Sequence, residues 1–233
     1  MIQLFNGDCL EVMQDMPDNS VDYVLTSPPY NRKRNDKYKL YNDQIADYFT
    51  FNQEVINQLL RISKKHIFYN IQTNFYNRDI VYKLIGYFNK DIKEIIIWEK
   101  SNPMPAAGNA ITNAVEYFIV LGKESLKSNT TYTKNIITSS VNSKMPKIHK
   151  AVMKQEIADY FIETFTKEKD IILDQFLGTG TTMVASHQLK RKCYGMELDP
   201  KYCDVIVKRM IKLDETLTVK RNGIDVTNEL KKL

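Results

Sequence analysis

Short apolar runs alternate with amphipathic stretches along most of the chain. Residues 21–26 form a β-branched and aromatic run that stops at Ser27-Pro28-Pro29, as a strand does when it enters a proline-stiffened loop. Residues 43–62 carry apolar side chains at helical spacing. The same alternation predicts strands at 66–70, 93–98, 115–121, 170–174 and 192–197, and helices at 77–88, 150–166, 181–189 and 200–213. This order predicts an α/β fold with a largely parallel sheet covered by helices on both faces.

Two segments interrupt the alternation. Residues 123–147 are rich in Lys, Ser, Thr and Asn without an apolar period, which predicts a loop, a small inserted element or a segment that orders on a partner. Residues 216–233 contain the turn signal Arg221-Asn222-Gly223 and are predicted to form a terminal hairpin or a frayed end. The remaining ranges, 1–122 and 148–215, are predicted to form a single domain.

The composition fits a folded chain outside the membrane. Of 233 residues 43% are hydrophobic, enough for a sizeable core, and no run of eighteen apolar residues exists. The first residues lack the basic-then-apolar pattern of a signal peptide. The three cysteines, Cys9, Cys193 and Cys203, are odd in number and lack metal-ligand spacing. We therefore expect reduced thiols, a cytoplasmic location and no metal site.

The net charge of +5 is unevenly distributed. Basic residues crowd the stretch after Tyr30 and the stretch from 123 to 150, each opposed by a single acidic residue, Asp36 or Glu124. Clusters of this kind can neutralise phosphates. A solvated Lys-rich surface explains the same charges, so charge alone leaves both interpretations open.

A glycine-rich turn closes one predicted strand and opens a helix. Its functional residues are Asp174, Phe176, Gly178, Thr179, Gly180, Thr181 and Thr182. Two glycines allow the backbone to bend tightly and to approach a ligand closely. Glu197 ends the next strand about 20 residues later, where an acid accepts hydrogen bonds from ribose hydroxyls in Rossmann-like units. The combination predicts a nucleoside site, whereas the glycines alone would also fit a structural turn.

The class of nucleoside follows from what surrounds the turn. The chain lacks the G-x-x-x-x-G-K-[ST] string of a P-loop, and the helix begins with the hydroxyls of Thr181 and Thr182. Hydroxyls suit the uncharged linkage and zwitterionic tail of S-adenosylmethionine. Asp174 would face the cationic end of that cofactor, directly or through backbone and water.

The string Ser27-Pro28-Pro29-Tyr30 is the predicted catalytic loop. Two prolines fix the directions of the backbone carbonyls, Ser27 adds a hydroxyl acceptor, and Tyr30 adds a flat face. We expect Ser27 and the Pro28 carbonyl to accept the two hydrogens of a ring amine while Tyr30 stacks on the ring. Methyl transfer is then direct and rests on positioning and charge stabilisation, so no cysteine nucleophile is needed. In isolation the string would also fit a polyproline turn.

These motifs resemble those of the amino-methyltransferases of bacterial and phage restriction–modification systems, in their circularly permuted β arrangement. In that arrangement the catalytic motif precedes the cofactor motif, as it does here. Further matching strings cover Asn6–Leu10, Trp98–Pro105 and Tyr194–Tyr202. The resemblance implies that Asp8 and Cys9 lie at the adenosine of the cofactor, that Glu197 binds its ribose, and that the loop after Trp98 helps to hold an extruded base.

Two positions depart from the family pattern. The family often has His-Pro followed by a second proline before one helix, where this chain has His149-Lys150 and Met153. The usual Asp-Pro-Phe before the glycines is Asp174-Gln175-Phe176, which keeps the acid and the aromatic ring.

The resemblance implies site-specific methylation of double-stranded DNA on a flipped base. Ser at the first position of the catalytic tetrapeptide goes mainly with cytosine N4 in this family, so Ser27 favours cytosine, with adenine N6 as the alternative. Tyr30 could stack on the base with help from Trp98 or Tyr38, although Trp98 in an apolar strand also fits a core residue. A catalytically inactive module that binds DNA and cofactor, and methylation of RNA or of a protein glutamine, are the competing interpretations.

The partners expected from this interpretation are duplex DNA and a cognate restriction endonuclease. Residues 123–147 are the candidate target-recognition segment, and because it is short, either the target is brief or a second subunit of a homodimer helps. The predicted phosphate contacts are Arg32, Lys33, Arg34, Lys37, Lys100, Lys134, Lys144 and Lys147.

Overall fold

The computed structural model describes residues 2–31, 44–108, 110–140 and 153–227. In these residues ten strands form one sheet in the order β10-β9-β1-β8-β7-β2-β3-β5-β4-β6. The strands are β1 (Ile2–Asn6), β2 (Tyr23–Thr26), β3 (His66–Ile71), β4 (Ile92–Lys100), β5 (Val115–Gly122), β6 (Ile136–Ser139), β7 (Ile171–Asp174), β8 (Lys192–Glu197), β9 (Val219–Arg221) and β10 (Ile224–Asp225). The helices are α1 (Cys9–Gln14), α2 (Tyr48–Ile62), α3 (Arg78–Tyr87), α4 (Gln155–Phe165), α5 (Thr181–Gln188) and α6 (Pro200–Leu213).

Most strands of the sheet point the same way. Only β5 and β10 among the described strands run antiparallel to their neighbours. The carboxyl ends of the other strands and the amino end of β5 therefore lie along one edge, which we call the carboxyl edge. In open α/β sheets this is the edge where ligands bind.

Helices cover both faces of the sheet. On one face, buried side chains of α1, α2 and α3, such as Met13, Val55 and Val81, form one apolar core. On the other face, α4, α5 and α6 contribute to two further clusters. Strand β2 alternates between them, with Val24 in the first core and Leu25 on the opposite face. The predicted α/β architecture with helices on both faces is therefore confirmed.

The predicted strands and helices are present, with two shifted boundaries and three additions. Helix α4 begins at Gln155 rather than 150. Helix α2 begins at Tyr48 rather than 43, because the Asp47 carboxylate accepts a hydrogen bond from the Thr50 amide (3.0 Å) and caps it there. Strand β1 and helix α1 were not predicted. Nor was β6, which lies within 123–147 and pairs in parallel with β4.

The first part of segment 123–147 lies far from the carboxyl edge. Lys123 follows the carboxyl end of β5, at the opposite edge, and its Nζ donates to Asn19 Oδ1 (3.0 Å). The Asn129 side chain binds the carbonyls of Glu163 and Thr166 at the end of α4. Strand β6 then runs back toward the carboxyl edge. It ends there at Ser139, beside the end of β4.

The chain from 216 onward adds two strands to the sheet. Asn222 and Gly223 have φ angles of 48° and 81°, which Asn and Gly tolerate best, and they form the turn between β9 and β10. Strand β9 pairs in parallel with β1. A hairpin thus extends the sheet beside the amino-terminal strand. Within the described ranges, no helix combines the length and the apolar character that crossing a membrane would require.

Candidate active site

Polar side chains from five neighbouring strands line the carboxyl edge. In sheet order, β1, β8, β7, β2 and β3 place there Asp8, Glu197, Asp174, Ser27 and Asn70. Thr26 Oγ1, at the end of β2, donates to Asp174 Oδ1 at the end of β7 (2.8 Å). The residue that precedes the predicted catalytic loop and the first residue of the predicted glycine turn, far apart in sequence, are therefore in direct contact.

The glycine turn needs both of its glycines. Gly178 and Gly180 have φ angles of 56° and 86°, in the left-handed region that disfavours other residues. A Cβ on Gly180 would also lie 3.3 Å from Ile206 in α6. The Gly178 amide donates to Glu197 Oε2 (2.8 Å) and the Asp199 amide to Oε1 (2.9 Å). These bonds fix the Glu197 carboxylate beside the turn.

Two buried carboxyl groups flank this turn. Burial raises the pKa of Asp174 to about 6, although hydrogen bonds from Thr182, Thr26 and the Phe176 amide oppose the shift. Burial likewise raises the pKa of Glu197 to about 7, with smaller contributions from Asp199 and Asp174. Both acids are thus held where a cation or hydroxyl donors would favour their ionised forms.

Two buried polar side chains on the turn are incompletely bonded. Neither amide atom of Gln175 nor the hydroxyl oxygen of Thr179 has a hydrogen-bond partner among the described residues. Buried polar groups are nearly always paired, so the glycine turn is a place where the described fold leaves polar groups unsatisfied. A zwitterionic nucleoside such as S-adenosylmethionine fits this combination of orphaned polar atoms, acids and glycines.

The remaining residues of the turn pack around it. Thr181 and Thr182 are buried at the start of α5. The Phe176 ring contacts the Phe51 ring of α2, with centroids 6.0 Å apart. In β8, a Cβ on Gly195 would lie 2.3 Å from Leu177 Cδ2. The absence of a side chain at 195 thus lets the turn lie directly on the neighbouring strand.

Asp8 and Cys9 occupy the start of α1 beyond β1. The Asp8 carboxylate accepts a hydrogen bond from the Leu10 amide (2.8 Å), caps α1 and is exposed. Cys9 is buried, and burial raises the pKa of its thiol to about 12. Cys193 and Cys203 are also buried and free, with thiol pKa values raised by burial. A neutral thiol is a poor nucleophile, so the structure offers no reactive cysteine in these three positions.

The backbone of the predicted catalytic loop is held from two sides. The Tyr48 hydroxyl donates to the Pro29 carbonyl (2.6 Å), and the side-chain amides of Asn74 and Asn77 donate to the Tyr30 carbonyl (2.8 Å each). The Pro28 carbonyl accepts no hydrogen bond from any residue that the structure describes. Pro28 itself is buried.

The side chains of the loop enter a polar network. Ser27 Oγ lies 2.8 Å from the Tyr30 hydroxyl and 3.1 Å from Asn70 Oδ1. The Tyr30 hydroxyl is also within 2.5 Å of Asn70 Oδ1 and 3.0 Å of Glu116 Oε2. With two acceptor oxygens behind them, both hydroxyls can donate their protons into the protein. The Ser27 oxygen then keeps lone pairs for an incoming donor.

Lys100 and Trp98 have largely buried side chains, whereas a residue that contacts DNA must reach the surface. Lys100 Nζ donates to Glu116 Oε1, and the two side chains are only 10% and 8% exposed. The prediction that Lys100 contacts a phosphate does not fit this position, because its charge is already paired behind the catalytic loop. Trp98 is a core residue, and its Nε1 donates to Ser139 Oγ (2.8 Å).

Asn70 and Glu116 were missed by the sequence reasoning. Each is a buried polar residue within an apolar strand, His66–Ile71 or Val115–Gly122. That interruption of an apolar strand is the signal that could have identified them. Lys134, a predicted phosphate contact, is exposed just before β6. The other predicted phosphate contacts lie outside the described residues: Arg32, Lys33, Arg34, Lys37, Lys144 and Lys147. Tyr38 and His149 also lie outside them.

The sequence matches known DNA methylases. The N6/N4 methylase family model, described as DNA methylase, matches residues 21–208. The type II methyltransferase M.MwoI of Methanothermobacter wolfeii is 30% identical over 97% of this chain, which spans only 35% of that relative. M.BglII of Bacillus subtilis is 26% identical over 87% of this chain and 67% of its own length.

Solved structures have the same fold. The cytosine-N4-specific PvuII DNA methyltransferase superposes with a TM-score of 0.75 at 16% identity, over 98% of this chain and 89% of its own. TTHA0409 of Thermus thermophilus was solved in complex with S-adenosyl-L-methionine. It superposes with a TM-score of 0.70 at 22% identity, over 95% of this chain and 98% of its own. The overall fold of this chain is thus shared with these proteins. Since the family match also covers both predicted motifs, this chain belongs to the N6/N4 family of DNA methylases.

Proposed function

We propose that the protein transfers a methyl group from S-adenosylmethionine to the exocyclic amine of a base flipped out of duplex DNA, with cytosine N4 as the target. The hydrogen bond between Thr26 and Asp174 carries this proposal. It joins the last residue before the Ser-Pro-Pro-Tyr loop to the acid at the glycine turn. A methyl donor at the turn and an acceptor at the loop would therefore be adjacent, as direct transfer requires.

The cofactor would supply an electrophilic methyl group on a sulfonium. Glu197, fixed by the amides of Gly178 and Asp199, would accept hydrogen bonds from the ribose. Asp174 would pair with the cationic end, and Asp8 beyond β1 would lie toward the adenosine. The bound cofactor of TTHA0409 supports this assignment.

The base would be held by the catalytic loop. The Ser27 hydroxyl oxygen and the unengaged Pro28 carbonyl would accept the two hydrogens of the amine. Asn70 Oδ1 accepts a hydrogen bond from the Ser27 hydroxyl, which leaves the lone pairs of the Ser27 oxygen free to accept from the amine. This arrangement keeps the nitrogen lone pair directed away from the protein and toward the methyl donor.

Tyr30 would stack on the flipped ring. Its hydroxyl is anchored to Asn70 and Glu116 and its carbonyl to Asn74 and Asn77, so the ring orientation is fixed before the base arrives. A preorganised stacking face offsets part of the free energy lost when the base leaves the duplex.

Cytosine is preferred over adenine because of Ser27. The cytosine-N4-specific PvuII enzyme, which has the same fold, supports this preference. Adenine N6 is the alternative. The type II methyltransferase relatives support a role in a restriction–modification system, with a cognate endonuclease as the expected partner.

Two substitutions test the proposal. Tyr30→Ala and Ser27→Ala should each lower the rate of incorporation of labelled methyl groups into mixed-sequence duplex DNA by about 100-fold or more. Both variants should bind S-adenosylmethionine with the affinity of the wild-type protein in calorimetry, since neither side chain belongs to the glycine turn. Equal loss of transfer and cofactor binding in Tyr30→Ala would instead place Tyr30 in the cofactor site and contradict the assignment.

A further inference from the structure

The loop that follows β3 lies against the catalytic loop. Asn74 Nδ2 and Asn77 Nδ2 both donate to the Tyr30 carbonyl at 2.8 Å, and Asn77 Nδ2 also donates to the Gln72 carbonyl (3.0 Å). We call residues 72–77 the asparagine loop. Its hydrogen bonds therefore hold the backbone of Tyr30, the residue proposed to stack on the base.

The asparagine loop is internally braced. The Asn74 amide donates to Asn77 Oδ1 (2.7 Å), and the Tyr76 amide donates to Asn74 Oδ1 (2.8 Å). The Asn113 side chain binds the Thr73 carbonyl from the neighbouring connection between β4 and β5. A loop with this many fixed bonds presents its outward side chains in defined directions.

Phe75 projects from this braced loop into solvent. It is 79% exposed, and its ring contacts only the edge of Tyr76 among the ring pairs of the described residues, with centroids 5.3 Å apart. Exposure of a phenylalanine forgoes the favourable free energy of burying its ring. Packing within the described fold does not account for an aromatic ring at this position.

We propose that Phe75 is a wedge that enters the DNA base stack when the target base leaves it. This inference rests on the proposed function, because it assumes a flipped base at Ser27 and Tyr30. Extrusion of a base leaves a gap between its former neighbours, and proteins that distort duplexes fill such gaps with apolar side chains. Phe75 is a flat apolar group, one residue from a side chain that holds Tyr30, at the edge of the sheet where the duplex must lie.

The exposed Tyr82, outside the asparagine loop, lacks this connection. Tyr82 is 62% exposed on α3, and within the described ranges it makes no hydrogen bond or ring contact with the catalytic loop. Tyr82 is therefore a matched control: an exposed ring of similar size on the same stretch of chain, outside the proposed site.

The test compares methylation of two kinds of duplex. The recognition sequence is first read from methylated random-sequence DNA, and duplexes are then made with the target base either normally paired or opposite an abasic position. The unpaired target leaves the stack more easily and depends less on a wedge. Steady-state kcat/KM is measured for the wild type, Phe75→Ala, Phe75→Tyr and Tyr82→Ala.

We expect Phe75→Ala to lower kcat/KM on the paired target about tenfold or more, as loss of one aromatic–base stack would. On the unpaired target the deficit should shrink to within about threefold. Phe75→Tyr keeps the flat ring and should retain activity on both, as should Tyr82→Ala. Cofactor affinity and the thermal midpoint of Phe75→Ala should equal those of the wild type.

An equal deficit of Phe75→Ala on both duplexes, or no deficit on the paired one, overturns the wedge while leaving the proposed function intact. A wild-type protein that methylates no DNA overturns the proposed function and the wedge together. The two failures are therefore distinguishable in one set of assays.

Discussion

At the scale of single residues, the direction of one hydroxyl proton determines what Ser27 can do. Its oxygen lies 3.1 Å from Asn70 Oδ1, while Asn70 Nδ2 donates to the Tyr117 carbonyl (3.4 Å) and so orients the amide. Asn70 can then only accept from Ser27. It is a positioning residue that acts on the base through Ser27 rather than by contact.

Asn70→Ala should therefore lower kcat without changing cofactor binding. We expect a fall of about 10- to 100-fold, the usual effect of losing one preorganised hydrogen bond in an active site. In a Ser27→Ala background the same substitution should add less than about threefold, because the group it positions is gone. A full, independent effect of Asn70→Ala in that background would contradict the positioning role. Single-turnover kinetics on a duplex substrate measures both.

If Glu197 binds the ribose as proposed, its buried carboxyl should make cofactor affinity depend on pH. Its pKa is raised to about 7 in the ligand-free protein, and ribose hydroxyls donating to it would favour the carboxylate. Binding should therefore release a proton below pH 7, and affinity should be about tenfold weaker at pH 6 than at pH 8. Asp174, with a pKa near 6, extends the decline at lower pH. Calorimetry across this range measures the effect.

The stability of the ligand-free protein should follow the opposite trend. A carboxyl group whose pKa is raised on folding contributes stability below its ordinary pKa, and that contribution is lost as the pH rises through about 7.

Glu197→Gln should flatten the dependence of cofactor affinity on pH above 6. Constant wild-type affinity between pH 6 and 8 would remove Glu197 from the cofactor contacts.

Sequence reasoning found the residues that are close together in the chain and missed their distant supports. Ser27 to Tyr30 form one recognisable string, and Asp174 and Glu197 follow predictable strand ends. Asn70 and Glu116 act on Tyr30 from 40 and 86 residues away. Only the pairing of β2 with β3 and of β3 with β5 brings them together, and a single sequence does not specify that pairing.

At the scale of elements, β4 and β5 contribute a buried ion pair to the support of the catalytic loop. Lys100, at the end of β4, pairs with Glu116, at the start of β5, and Glu116 in turn accepts from Tyr30. A carboxylate this deep requires its cation, because removal of one partner leaves an uncompensated charge.

Lys100→Met should lower the free energy of unfolding by about 3 kcal/mol, whereas Lys100→Met with Glu116→Gln should recover most of that loss. Urea denaturation measures both. Lys190→Ala removes an exposed pair with Glu168, whose side chains are 74% and 58% exposed, and should change stability by less than about 1 kcal/mol. If the losses in free energy of unfolding of Lys100→Met and Glu116→Gln simply add in the double variant, the two side chains are not coupled.

Element prediction was accurate where the apolar period was long and failed where elements are short. Strand β6 has only four residues with exposed and half-exposed side chains, so it carries no apolar signal. Helix α1 has six residues, too few for a recognisable period. The Asn222-Gly223 turn was identifiable because its conformation favours those residue types. The pairing of the adjoining strand β9 with β1 was not identifiable.

At the scale of the whole molecule, the sheet joins two functional halves that the chain keeps apart. The catalytic loop follows β2 near the amino terminus, and the glycine turn follows β7, yet β2 and β7 are neighbours. The sequence predicted each half and the α/β class. Their contact through Thr26 and Asp174 depends on strand order, which apolar patterning does not encode.

The identity of the methylated nucleoside tests the central claim most directly. Purified protein is incubated with isotopically labelled S-adenosylmethionine and mixed-sequence duplex DNA, and the DNA is digested to nucleosides for mass spectrometry. We predict labelled N4-methylcytosine, formed at least about 100-fold more slowly with Ser27→Ala. Labelled N6-methyladenine as the sole product would contradict the choice of base, and no labelled nucleoside would contradict DNA amine methylation by this chain.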